Sequence, residues 1–151
     1  MSKKSLNIII DSIVHLAISL EVFLIAYAKT GDFFYFFIAI LGGVVIDVDH
    51  GIDCLIQFKK VSLKKILIFP YLKKKYVYLF LHSWELVAIF AFFAFFFNSL
   101  PWQVFIFSWA LHLLVDNLDD FKRKGLLHYF LFYRFKKGFK TDKLEGFIFI
   151  R

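Results

Sequence analysis

Cysteine is nearly absent from this chain. The single Cys54 excludes an intrachain disulfide and leaves the redox compartment open. No internal repeat and no low-complexity linker divides the 151 residues, a length that suits one domain. Acidic residues are scarce, 12 against 19 basic ones, for a formal net charge of +7. The basic residues stand in blocks outside the apolar runs. That placement favours a membrane surface with anionic headgroups and argues against nucleic acid, whose binders carry basic residues on a soluble face. What the chain has in abundance is apolar: 60% hydrophobic residues and 23 phenylalanines, with mean hydropathy +0.69. A soluble domain averages roughly 45–50% apolar residues, so the excess points to lipid as solvent.

Four apolar stretches emerge, at about 8–28, 33–52, 76–97 and 101–118. A helix needs about 20 residues to cross a hydrocarbon core of roughly 30 Å. The pattern predicts an all-α fold, a single transmembrane domain over 1–151 built as an integral membrane four-helix bundle with amphipathic interfacial segments. A basic interfacial loop is expected at 53–75 and a basic interfacial tail at 119–151. Cleavage of the first stretch as a signal peptide is the rival reading, with Lys3–Lys4 as the basic region and Ala26–Tyr27–Ala28 as the cleavage site. Asp11, His15 and Glu21 inside the stretch argue against it, because such a region is apolar throughout. Lysines gather at the N-terminus, in 53–75 and in the tail, while the two opposite turns hold only Lys29. The positive-inside rule then puts both termini and the 53–75 loop in the cytoplasm, in a cell (inner) membrane. No small-xxx-small pattern decides association, so a homo-oligomer stays open.

On that topology the ionisable residues of the apolar stretches fall at one depth. Asp11 and His15 begin the first helix, Asp47, Asp49 and His50 end the second, His82 and Glu85 begin the third, and His112 and Asp116 end the fourth. At 1.5 Å per residue most lie within roughly 10 Å of the cytoplasmic boundary. The pairs are spaced i,i+3 or i,i+4, so each shares a helix face. Asp49 points elsewhere and joins only if the helix loosens at Gly51. Intramembrane charge is rare and costly, and His–carboxylate pairs on facing helices build dinuclear metal centres in bundles. His15, Asp47, His50, His82, His112 and Asp116 are therefore the expected metal ligands, with Asp49 and Glu85 as catalytic carboxylates that orient a water or take its proton. Zinc is the first choice for imidazole and carboxylate ligation, with manganese and iron as alternatives. The plainer reading makes these pairs structural ion pairs, and places Asp53, Asp119 and Asp120 in headgroup water, His128 at the interface and Cys54 as an ordinary thiol.

The motifs also resemble those of the YdjM-like family, small inner-membrane proteins regarded as membrane-bound metal-dependent hydrolases. DVDH at 47–50, after Gly42–Gly43, resembles its LPDxDH-type motif. LHSW at 81–84 resembles its T-H-S element, ALHLLVDNL at 110–118 its H-x-x-x-D helix, and His15 an early histidine of its first helix. Val45–Ile46, Gly51 and Leu81 depart from that pattern, as does the missing Arg-Gly before the T-H-S element. The resemblance implies a metal site. The depth and the basic rim add the expectation of hydrolysis at the cytoplasmic leaflet, on a phosphoester or lipid headgroup. A non-enzymatic membrane scaffold with a structural metal or ion-pair cluster is the alternative. An ion transporter ranks last, because only Glu21 lies toward the far side.

Overall fold

The first apolar stretch holds no proline or glycine, and a helix runs through all of it. The computed structural model describes residues 3–59 and 75–144. In chain order these form α1 (Lys3–Thr30), α2 (Phe34–Gly43), a 3-10 turn (Val45–Asp47), α3 (Val48–Phe58), α4 (Trp84–Phe96), α5 (Leu100–Lys124), a second 3-10 turn (Leu126–Tyr129), α6 (Leu131–Lys136) and α7 (Thr141–Leu144). There is no strand among the described residues, only an antiparallel bridge of Tyr76 with Lys140. The all-α expectation is met. By their contacts the residues fall into two compact units, 1–46 with 86–112 and 47–85 with 113–151.

In the first unit, Gly31 turns the chain at φ 67° between α1 and α2, and Asp32 Oδ1 accepts the Phe34 N–H that opens α2. Val22, Phe23, Ala26, Ala39 and Val104 form the core. Small residues let the backbones close up. A Cβ on Gly42 would run into the carbonyl of Phe105, and one on Gly43 into the hydroxyls of Ser19 and Ser108. Those hydroxyls are spent within the unit, Ser19 on the carbonyl of His15 and Ser108 on that of Ala39.

In the second unit, Cys54, Val77, Leu79 and Leu144 form the core. Residues 76–80 are non-helical and alternate in burial, Val77 and Leu79 inside and Tyr76, Tyr78 and Phe80 more open, with Leu79 turning the chain at φ 41°.

Three expected boundaries are corrected. The run 33–52 is not one helix: α2 stops at Gly43, and α3 then carries on through 53–58, assigned above to the loop. Two glycines followed by β-branched Val44, Val45 and Ile46 weaken the α-helix there. The loosening expected at Gly51 lies instead at 44–47, and Gly51 is inside α3. The span 76–97 becomes helical only at Trp84, because aspartates of α3 accept the amides of Tyr78, Leu79, Leu81 and His82. The tail 119–151 is a folded part of the second unit as far as it is described: α5 continues to Lys124, and Tyr129, Arg134 and Leu144 are buried. The rest of the expected loop, 60–74, and residues 145–151 lie outside the described residues.

Two stretches, Ile9–Thr30 and Phe34–Gln57, are long and apolar enough to cross a membrane. Trp84–Phe96 is apolar but has 13 residues, short of the roughly 20 a span needs.

Candidate metal centre

The turn at Val45–Asp47 ends one helix and starts another, which sets Asp47 at the junction and Asp49 and His50 in the first turn of α3. Asp49 is 1% exposed. Its Oδ2 accepts the amides of Leu81 at 2.6 Å and His82 at 3.3 Å, and faces His82 Nδ1 at 3.3 Å. With Nδ1 directed at this carboxylate, Nε2 is the nitrogen left to act outward. It lies 3.5 Å from Asp47 Oδ1 and 3.5 Å from Asp116 Oδ2. His50 Nε2 is 3.5 Å from the same Asp47 oxygen, and the two imidazoles sit 4.7 Å apart. A chain of contacts thus links His50, Asp47, His82 and Asp116 within one unit.

The spacing is informative. A short charge-assisted N–H···O bond measures about 2.7–2.9 Å. Two ligands each about 2.0–2.1 Å from a tetrahedral ion stand about 3.4 Å apart. The three contacts, each 3.5 Å, are longer than such hydrogen bonds and link His50, Asp47, His82 and Asp116 in a row. Nitrogen and oxygen donors of this kind suit zinc, manganese and iron alike. Burial works against a charge on His82, but the neighbouring carboxylates of Asp47, Asp49 and Asp116 outweigh it, raising the imidazole to about 9.

A guanidinium fixes the chain that presents His82. Arg134 is fully buried. Its Nη1 donates to the carbonyls of Tyr78 and Leu79 and its Nη2 to that of His82, each at 2.7 Å. Burial draws Arg134 down to about 10 against the opposing charges of Asp49, Glu85 and Asp53. Asp53 accepts the Tyr78 amide at 3.0 Å and the Leu79 amide at 3.4 Å. Tyr129 donates to Asp120 at 2.8 Å, and burial together with Asp116 and Asp120 pushes its phenol well above the ordinary range.

Glu85, expected as a catalytic carboxylate, lies elsewhere in its contacts: its two oxygens accept the amides of Leu131 and Phe132, at 2.8 and 2.9 Å, and cap α6. Asp53 and Asp120 were expected in headgroup water and His128 at an interface; all three are buried.

His15 and His112 come together in the first unit, where both are buried and their rings lie 4.0 Å apart. His112 Nδ1 meets the Gly43 carbonyl at 2.8 Å, which directs its Nε2 outward in the same way. His15 Nε2 lies 3.7 Å from Asp11 Oδ1. Ligand atoms of His15 and His112, and likewise of Asp47 and His82, are within 4.8 Å of each other. Buried histidine and aspartate side chains of this chain are therefore placed to hold a metal ion.

Sequence reasoning missed Arg134, Asp53 and the Asp120–Tyr129 pair. The available signal was a lone arginine between aromatic residues in LLHYFLFYRFKK. These features define a class: a helical protein rich in apolar surface, with a buried His–Asp cluster able to take a cation. No family model matches the chain, and no curated protein or solved structure matches it either.

Proposed function

We propose that this chain is a membrane-embedded metal-dependent hydrolase acting at the cytoplasmic leaflet on a phosphoester or lipid headgroup. The observation that carries the reading is His82, held by Asp49 at Nδ1 and facing Asp47 and Asp116 from Nε2 at 3.5 Å each. Asp47, His50, His82 and Asp116 are the ligands in this reading. A divalent cation in such a donor set supplies Lewis acidity and a water nucleophile at neutral pH. Asp49 orients His82. Asp47 is the most open of these carboxylates, 42% exposed, and would leave the ion a side that water and substrate can reach. The likeness of DVDH and LHSW to the YdjM-like motifs points the same way. The lysine blocks support cytoplasmic termini and an anionic substrate. Purified protein is expected to carry a stoichiometric divalent metal, zinc first, that His82→Ala removes together with hydrolysis of phosphate-ester lipids. Absence of metal from the wild type rejects the reading.

A second reading has its own observation. His82, raised to about 9, is charged at neutral pH among Asp47, Asp49 and Asp116, so the cluster pairs its own charges without an ion. On that reading the protein is a membrane scaffold. Zinc added to chelated wild type decides between the two: turnover that returns with the metal supports the enzyme, and absence of turnover in folded, metal-loaded protein supports the scaffold.

A further inference from the structure

One surface of the second unit serves neither the core nor the cluster. Along the non-helical stretch 76–80 the alternate residues Tyr76, Tyr78 and Phe80 stack in a row, with centroids 6.0 and 6.3 Å apart. Phe139 joins the row 5.2 Å from Tyr78, and Phe135 lies 6.2 Å from Phe139. Phe80, Leu131, Phe132, Phe135 and Phe139 border a cleft of about 300 Å³ with Glu85 at its side. Phe132 is 73% and Phe135 69% exposed, and Leu126 and Leu127 are more than half exposed. Such rings are costly in water, and α6 with its 6 residues is far too short to cross a bilayer.

Charge says what covers this face. Lys75, Lys136, Lys140 and Lys143 are exposed around it, and Lys137 lies over the Tyr133 ring at 5.6 Å. Asp142 is the sole acid in α6, α7 and the turn between them. Lysine is depleted at protein–protein interfaces. Exposed aromatic rings beside lysines instead suit the boundary between headgroups and acyl chains, where rings sink in and ammonium groups meet phosphates.

We propose that this aromatic–lysine face docks on an anionic phospholipid layer, with Phe132 and Phe135 below the phosphates and the lysines among them. The proposal takes its membrane setting from the function proposed above, and its test separates the two. A polarity-sensitive dye on Phe132→Cys reports the environment, because Cys54 is buried and escapes labelling. A second label on Asp142→Cys lies outside the aromatic row and covers the case in which the first variant misfolds. The full chain is reconstituted in phosphatidylcholine alone and in its mixture with phosphatidylglycerol. The expected result is a blue shift in the anionic vesicles that high salt reverses. Each lysine removed, as in Lys136→Gln or Lys137→Gln, is expected to lower the ratio of docked to undocked chain about fivefold. Equal emission in both vesicles, or a shift that follows protein concentration instead of lipid charge, overturns the docking. Flotation is scored separately. A chain that fails to float with neutral vesicles refutes the spanning reading, and the dye on added anionic vesicles still decides the docking.

Discussion

His82 has both ring nitrogens committed, Nδ1 to Asp49 and Nε2 to the space shared by Asp47 and Asp116. Asp49 therefore acts through His82. Asp49→Asn is expected to lower metal affinity about 10–100-fold, the usual cost of losing such an outer carboxylate, with helix content by circular dichroism unchanged. Competition with a chelator measures it. The proton on His82 gives a second expectation. With the imidazole raised to about 9, an ion must displace a proton at neutral pH. Apparent affinity is expected to rise about tenfold per pH unit above 7 and to level off past the imidazole's value. In chelated protein the sign reverses. The stabilisation from a raised group is complete below its ordinary value of 6.5 and is lost as pH rises through about 9, so the metal-free melting temperature falls on that side. At this scale the sequence was legible in part. Asp47, His50, His82 and Asp116 stood out because charge is rare in apolar stretches. The parts of Asp49 and Glu85 were not legible, because they depend on which amides escape helical bonding.

Among the elements, the non-helical stretch 76–83 has the least local support. Its amides go to Asp49 and Asp53 and its carbonyls to Arg134. Arg134→Met fills similar volume but leaves three carbonyls without that donor. A loss of about 3 kcal/mol or more is expected from denaturant unfolding, with faster hydrogen exchange confined to 77–82. The helices α1 and α2 were readable from apolar length and from Gly31. The break at 44–47 was less so, since glycine and β-branched residues lower helix propensity without fixing where a helix stops. In the first unit Gly42→Ala is expected to cost about 1–3 kcal/mol, because a methyl meets the backbone of Phe105 and not a movable side chain.

For the molecule as a whole, the described surface carries large apolar side chains throughout. Ile13, Leu24 and Ile25 on α1 and Phe92, Phe95 and Phe96 on α4 are all more than half exposed. Water tolerates apolar patches of only a few hundred Å² on soluble monomers. The chain is expected in the membrane fraction after alkaline carbonate extraction; release into the supernatant refutes the spanning reading. The proposed topology predicts that tags at the N- and C-terminus are cut by protease only in inverted vesicles.

Read alone, the chain's residues were enough for the helical class, the long apolar stretches and the short roster of ionisable groups inside them. They were enough because hydrophobic content and the 3.6-residue period act over neighbours along the chain. Which atoms of those groups meet depended on the folded chain. The bonds that turn His82, cap α6 with Glu85 and spend Arg134 on carbonyls join residues far apart in sequence. Their partners are backbone groups, which every residue carries alike and no sequence pattern marks.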